Sequence, residues 1–147
     1  MQQTAQWVDG LAAADHRTAY QYFQLLLDES HRSAAVYHYF DRFAAMIDSS
    51  NTYLRTRGLL LLAANAPWDD QGKLAALLDR LLAHITDAKP TVARQLIQAL
   101  PAVATARPEL AERIRQALAA ADTSGYADSM RPLVEGDIAA ALEAIAS

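Results

Sequence analysis

Between residues 73 and 86 the apolar side chains Leu74, Leu77, Leu78, Leu81, Leu82 and Ile85 fall at i, i+3, i+4, i+7, i+8 and i+11, with Asp79, Arg80 and Ala83 on the opposite side. That is the spacing of an α-helix with one buried stripe. Comparable stripes predict helices over 52–65, 90–104 and 108–121. An earlier pair over 18–27 and 34–47 carries the aromatics Tyr20, Tyr22, Phe23, Tyr37, Tyr39, Phe40 and Phe43. Residues 4–14, with Trp7, Val8 and Leu11, form an amphipathic cap at one end, and 137–146 close the other.

The breaks between helices have local causes. Pro90 and Pro108 suit the first turn of a helix, where a missing N–H costs nothing. Asn65-Ala66-Pro67 is a helix stop. Asp69 and Asp70 are expected to cap the next helix, with Trp68 folded back over it as a staple. Thr123-Ser124-Gly125 is a terminus and turn. Pro101 lies inside an apolar-periodic stretch that resumes at Ala102 and Val103, so a kink is expected there rather than an end.

The pattern repeats. Shifted by 38 positions, Phe40-Asp41-Arg42-Phe43 lies over Leu78-Asp79-Arg80-Leu81, and Leu54, Leu59, Leu62 and Ala66 lie over Val92, Ile97, Leu100 and Ala104. Shifted by 36, Leu74, Leu78, Leu82 and Asp87 lie over Leu110, Ile114, Leu118 and Thr123, and at 37 Arg94, Leu96 and Ile97 lie over Arg131, Leu133 and Val134. Two helices per period whose apolar faces can be covered only by neighbouring copies predict an all-α fold, an α-α superhelix (solenoid) of about four helix pairs. No Gly-, Ser- or Pro-rich linker divides residues 1–147, so a single repeat domain is expected.

Composition narrows the chemistry. The 147 residues are 52% hydrophobic, carry a net charge of −4 and contain no cysteine. Thiolate catalysis, disulfides and thiolate-held iron–sulfur clusters are excluded, and the acidic balance weighs against nucleic acid and anionic membranes. The longest aliphatic run, Leu59 to Ala64, is far short of a membrane span, and Met1-Gln2-Gln3-Thr4 lacks a basic leader. A cytoplasmic location is the expectation. The histidines His16, His31, His38 and His84 have no metal-ligand spacing. The five glycines are scattered, and no nucleophile elbow or phosphate loop is present. No catalytic residue, cofactor or metal is assigned.

The repeat period, the Asp of the inter-repeat turn and the aliphatic-Arg start of the next helix (Asp48 with Leu54-Arg55, Asp87 with Val92-Ala93-Arg94) resemble HEAT repeats, with armadillo units close by. More narrowly, Asn51-Thr52-Tyr53-Leu54-Arg55-Thr56-Arg57, Ala63-Ala64-Asn65-Ala66-Pro67-Trp68-Asp69, His84-Ile85-Thr86-Asp87-Ala88-Lys89-Pro90 and Asp128-Ser129-Met130-Arg131-Pro132-Leu133 resemble a family of small bacterial, mostly Gram-positive, proteins labelled "SufBD protein". The resemblance spans roughly residues 17 to 145. It implies a HEAT-like fold and a cytoplasmic protein without an established activity; the iron–sulfur role in the label has no thiolate here to support it.

Asp48, Arg55, Asp87, Arg94 and Arg131 recur at the repeat period. A position present in every unit serves stacking: each Asp is expected to cap a helix, each Arg to bond turn carbonyls or a neighbouring Asp. Arg57, whose counterpart is Gln95, is expected to face solvent. In a solenoid the second helices line the concave side, where the polar positions are mixed in sign. The binding residues proposed from this register are Tyr37, His38, Arg42, Arg80 and His84, with Arg57 as a separate contact. Of Tyr37 and Tyr39, at least one should be partly exposed. The expected function is a non-enzymatic interaction module that binds a protein or peptide segment on that face. A nucleic-acid-binding or DNA-repair-related role, using Arg55, Arg57, Arg94 and Arg131 as a basic edge, is the alternative, and a homo-oligomer with paired edges is a third reading.

Overall fold

The computed structural model describes residues 2–145, and side chains from residue 3 onward. All regular structure among them is helical: α1 (Gln2–Gly10), α2 (His16–Ser30), α3 (Phe40–Met46), α4 (Thr52–Ala64), α5 (Lys73–Leu82), α6 (Pro90–Ala106), α7 (Ala111–Ala119) and α8 (Arg131–Ile145). Short 3₁₀ turns run directly into α3 from Val36–Tyr39, out of α5 over Ala83–Thr86 and into α7 from Pro108–Leu110; a fourth covers Ala66–Trp68. The all-α expectation holds, with the predicted helices over 34–47, 73–86 and 108–121 each part 3₁₀. The expected last residue of the closing helix, Ala146, lies outside the described residues. Among those residues no helix is long and apolar enough to cross a membrane.

The chain forms two compact units that divide in sequence between Asp70 and Gln71. In the first, α1 packs on α2, α2 on α4, and α3 on α4. Its core is Phe23, Leu26, Phe40, Phe43, Ile47, Leu59 and Leu62, all buried. Gly58 sets the approach of α3 to α4: a Cβ there would stand 2.8 Å from Met46 Cβ and 2.9 Å from the Phe43 carbonyl oxygen. In the second unit α6 packs on α7 and α8, and the stripe from Leu74 to Ile85 is buried throughout. Pro101 is accommodated inside an unbroken α6.

Burial follows the repeat. Phe40, Phe43, Leu78 and Leu81 are buried, while Asp41, Arg42, Asp79 and Arg80 between them are exposed. Leu74, Leu78, Leu82 and Asp87 are buried, as are Leu110, Ile114, Leu118 and Thr123 at the same register. The match weakens at Leu54, which is half-buried where its counterpart Val92 is buried, and at α8, where Leu133 is exposed although its counterpart Leu96 is buried.

The helix ends correct two expectations. The N-cap position of α5 is Gly72, in the left-handed conformation at φ 71°, a backbone shape that glycine adopts without steric penalty. Asp69, three residues before it, is buried. Trp68 is tied to α2, its Nε1 donating to the Ser30 carbonyl oxygen at 2.7 Å. Asn51, not Asp48, caps α4, with its Oδ1 accepting from the N–H groups of Tyr53 at 2.9 Å and Leu54 at 3.3 Å.

Candidate functional site

The arginines that recur with the repeat are occupied by the fold. Arg55 Nη1 donates to the Ser49 carbonyl oxygen at 3.0 Å, and Arg131 Nη2 to the Tyr126 carbonyl oxygen at 3.3 Å and to Asp128 at 2.9 Å. Arg94 Nε donates to Asp137 Oδ2 at 2.6 Å, joining α6 to α8, and this carboxylate holds the guanidinium above its ordinary pKa. Turn carbonyls and a neighbouring Asp are what a stacking role requires. The Asp87 carboxylate does not cap α6 directly: it accepts the N–H of Lys89, the residue before the helix, at 2.8 Å.

The six residues proposed for binding fall into different surroundings. Tyr37, His38, Arg42 and Arg57 belong to the first unit, Arg80 and His84 to the second. Tyr37 is not a surface aromatic: it is buried, and its hydroxyl donates to Asp69 Oδ1 at 2.5 Å. Tyr39 is the partly exposed member of the pair, and exposed His38 meets its ring edge-on with centroids 5.0 Å apart. Arg42 is exposed and ion-paired with Asp9 at 3.0 Å. Arg80 is exposed on α5. His84 is half-buried, with Nδ1 2.6 Å from the buried Asp87 Oδ2; the Asp87 carbonyl oxygen accepts the Tyr126 hydroxyl at 2.6 Å. That pair closes the turn leading into α6. The other carboxylate oxygen of Asp87 accepts the Lys89 N–H at 2.8 Å.

Arg57 departs most from expectation. It is 7% exposed, not solvent-facing, and its guanidinium lies over the Tyr53 ring, 5.4 Å from the centroid. Two i,i+4 pairs on neighbouring helices build this corner. On α4, Tyr53 precedes Arg57 by one turn; on α2, His16 precedes Tyr20 by one turn. The His16 and Tyr53 rings meet at 4.5 Å, and α2 packs on α4. Tyr53 is 53% exposed and Tyr20 is 49% exposed, so two phenol rings stand at the surface of the corner that holds Arg57. Burial pulls the Arg57 guanidinium below its ordinary pKa, while Tyr53 and then Tyr20 act in the opposite direction. The group remains a cation, since arginine does not lose its proton in proteins.

Neither the tyrosine flank nor the depth of Arg57 was expected from the repeat, which set Arg57 over Gln95. The signal available was local: an aromatic one helical turn before an arginine can cover it. Among the described residues no three of His, Asp and Glu are grouped as metal ligands. What the corner can do chemically is recognise: a planar fork of N–H donors beneath aromatic surface is suited to a carboxylate on an apolar stem. Comparison with known proteins gives no match, whether to a family model, a curated protein or a solved structure.

Proposed function

We propose that this chain is a non-enzymatic, HEAT-like interaction module that binds a protein or peptide segment. The observation that carries the reading is the corner of α2 and α4, where Tyr20 and Tyr53 are each about half exposed and Tyr53 covers Arg57. Large aromatics and arginine are the residue types that anchor protein interfaces, and these need no core of their own to explain them. Tyr37 and His84 leave the proposed contact set because their polar groups bond within the fold; His38, Arg42 and Arg80 remain exposed candidates.

The finer architecture, a solenoid of about four helix pairs, belongs to the same proposal. It is supported by hydrogen bonds at the repeat separation inside each unit: Trp68 to Ser30 across 38 residues, Arg113 to Ala75 across 38 and Tyr126 to Asp87 across 39. The nucleic-acid alternative loses its basic edge, because Arg55, Arg94 and Arg131 are engaged by carbonyls or carboxylates.

Affinity capture from the native cell extract tests the reading. A protein retained by the wild type and lost by Tyr20→Ser with Tyr53→Ser, but kept by Arg113→Ser, is expected. An unchanged set of captured proteins counts against this surface, and Arg42→Glu with Arg80→Glu tests the other exposed candidates in the same way.

A further inference from the structure

The first unit places a guanidinium where it lacks what guanidinium groups ordinarily take. Arg32 is paired with Glu29, Arg42 with Asp9, and Arg55 bonds the Ser49 carbonyl. Arg57 is more deeply buried than these, yet among the described residues no carboxylate or hydrogen-bond acceptor reaches it; its recorded neighbour is the Tyr53 ring. Its nitrogens are not sealed from solvent, since none is a buried atom lacking a hydrogen-bond partner, so a ligand can reach a cation that only a ring face accompanies.

We infer that Arg57, Tyr53 and Tyr20 form a binding site for a carboxylate borne on a peptide segment of a partner protein. The Arg57 fork takes the two carboxylate oxygens, and the exposed rings cover the apolar stem beside it. Charge decides between a carboxylate and a phosphate. Residues 1–70 hold eight carboxylates against five arginines and no lysine, so the unit's net charge opposes a dianion about twice as strongly as a monoanion. The site rests on the interaction-module reading and specifies what that module recognises.

Selection of a displayed random-peptide library on the full chain tests it, with affinities measured by fluorescence anisotropy. The enriched peptides are expected to carry an Asp or Glu whose change to Asn or Gln weakens binding about tenfold or more. Arg57→Lys, which keeps the charge but loses the fork, is expected to do the same. Tyr53→Ala, at a half-exposed position, is expected to weaken binding as well. Peptides whose affinity is moved by neither variant overturn the site and leave the module reading standing; enrichment of no peptide overturns both. Tighter binding when phosphoserine replaces the acidic residue overturns the carboxylate assignment.

Discussion

The indole of Trp68 donates to the Ser30 carbonyl oxygen at 2.7 Å across 38 residues, one repeat period, and satisfies a carbonyl that the end of α2 leaves without a helical partner. Asn65 reinforces the same spot, its Nδ2 donating to Ser30 Oγ at 3.1 Å and to the Leu61 carbonyl at 2.8 Å. Trp68→Phe is expected to cost about 1 kcal/mol from the lost hydrogen bond, more if packing loosens. Chemical denaturation, with an unchanged slope and a lower midpoint, is the check.

Tyr37→Phe removes a donor from the buried Asp69 carboxylate. Leaving a buried charged acceptor with one bond fewer costs about 1–3 kcal/mol. Asp69→Asn in the Tyr37→Phe background should recover part of that loss, because the amide has no charge to leave under-solvated. A double-mutant cycle by thermal melting reads the coupling.

Gly58→Ala separates helix propensity from packing. Alanine favours a helix interior by about 1 kcal/mol over glycine, but its Cβ would stand 2.8 Å from Met46 Cβ and 2.9 Å from the Phe43 carbonyl, so α3 must shift. Net destabilisation of about 1–3 kcal/mol is expected. A stabilised variant would mean that α3 and α4 are not this close.

Burial, and then the charge of Asp87, raise the Tyr126 phenol above its ordinary pKa of 10.0. The neutral phenol donates to the Asp87 carbonyl, so its contribution to stability is complete below pH 10 and is lost as pH rises through the higher folded value. Tyr126→Phe is expected to cost about 1 kcal/mol at neutral pH and to flatten the alkaline limb of a stability–pH curve. An identical limb in both proteins would assign the effect elsewhere.

Regular stripes were legible because their cause is local. Leu74 to Ile85 repeats at the helical period and is buried throughout, and Pro90 and Pro108 stand at first-turn positions as expected. Polar residues whose partners are distant were not legible: nothing near Tyr37 announces Asp69, 32 residues on, and nothing near Trp68 announces Ser30. Arg57 misled for another reason. Its counterpart Gln95 is exposed, but an arginine at that register can lay its stem against α4 under Tyr53, where glutamine has no such aromatic one turn back. Repeat register predicted which arginines bond turn carbonyls or an Asp and missed the one at which the copies differ in chemistry.

The central claim is that Arg57 is kept for recognition and not for folding, and the stability of Arg57→Met in the absence of ligand tests it most directly. Methionine preserves the buried stem and removes a charge that no carboxylate balances among the described residues. The account predicts a melting temperature equal to or above that of the wild type, because the charge that is lost makes no ion pair in the fold while the apolar stem is kept. A loss of about 3 kcal/mol or more, the cost of breaking a buried ion pair, would contradict it.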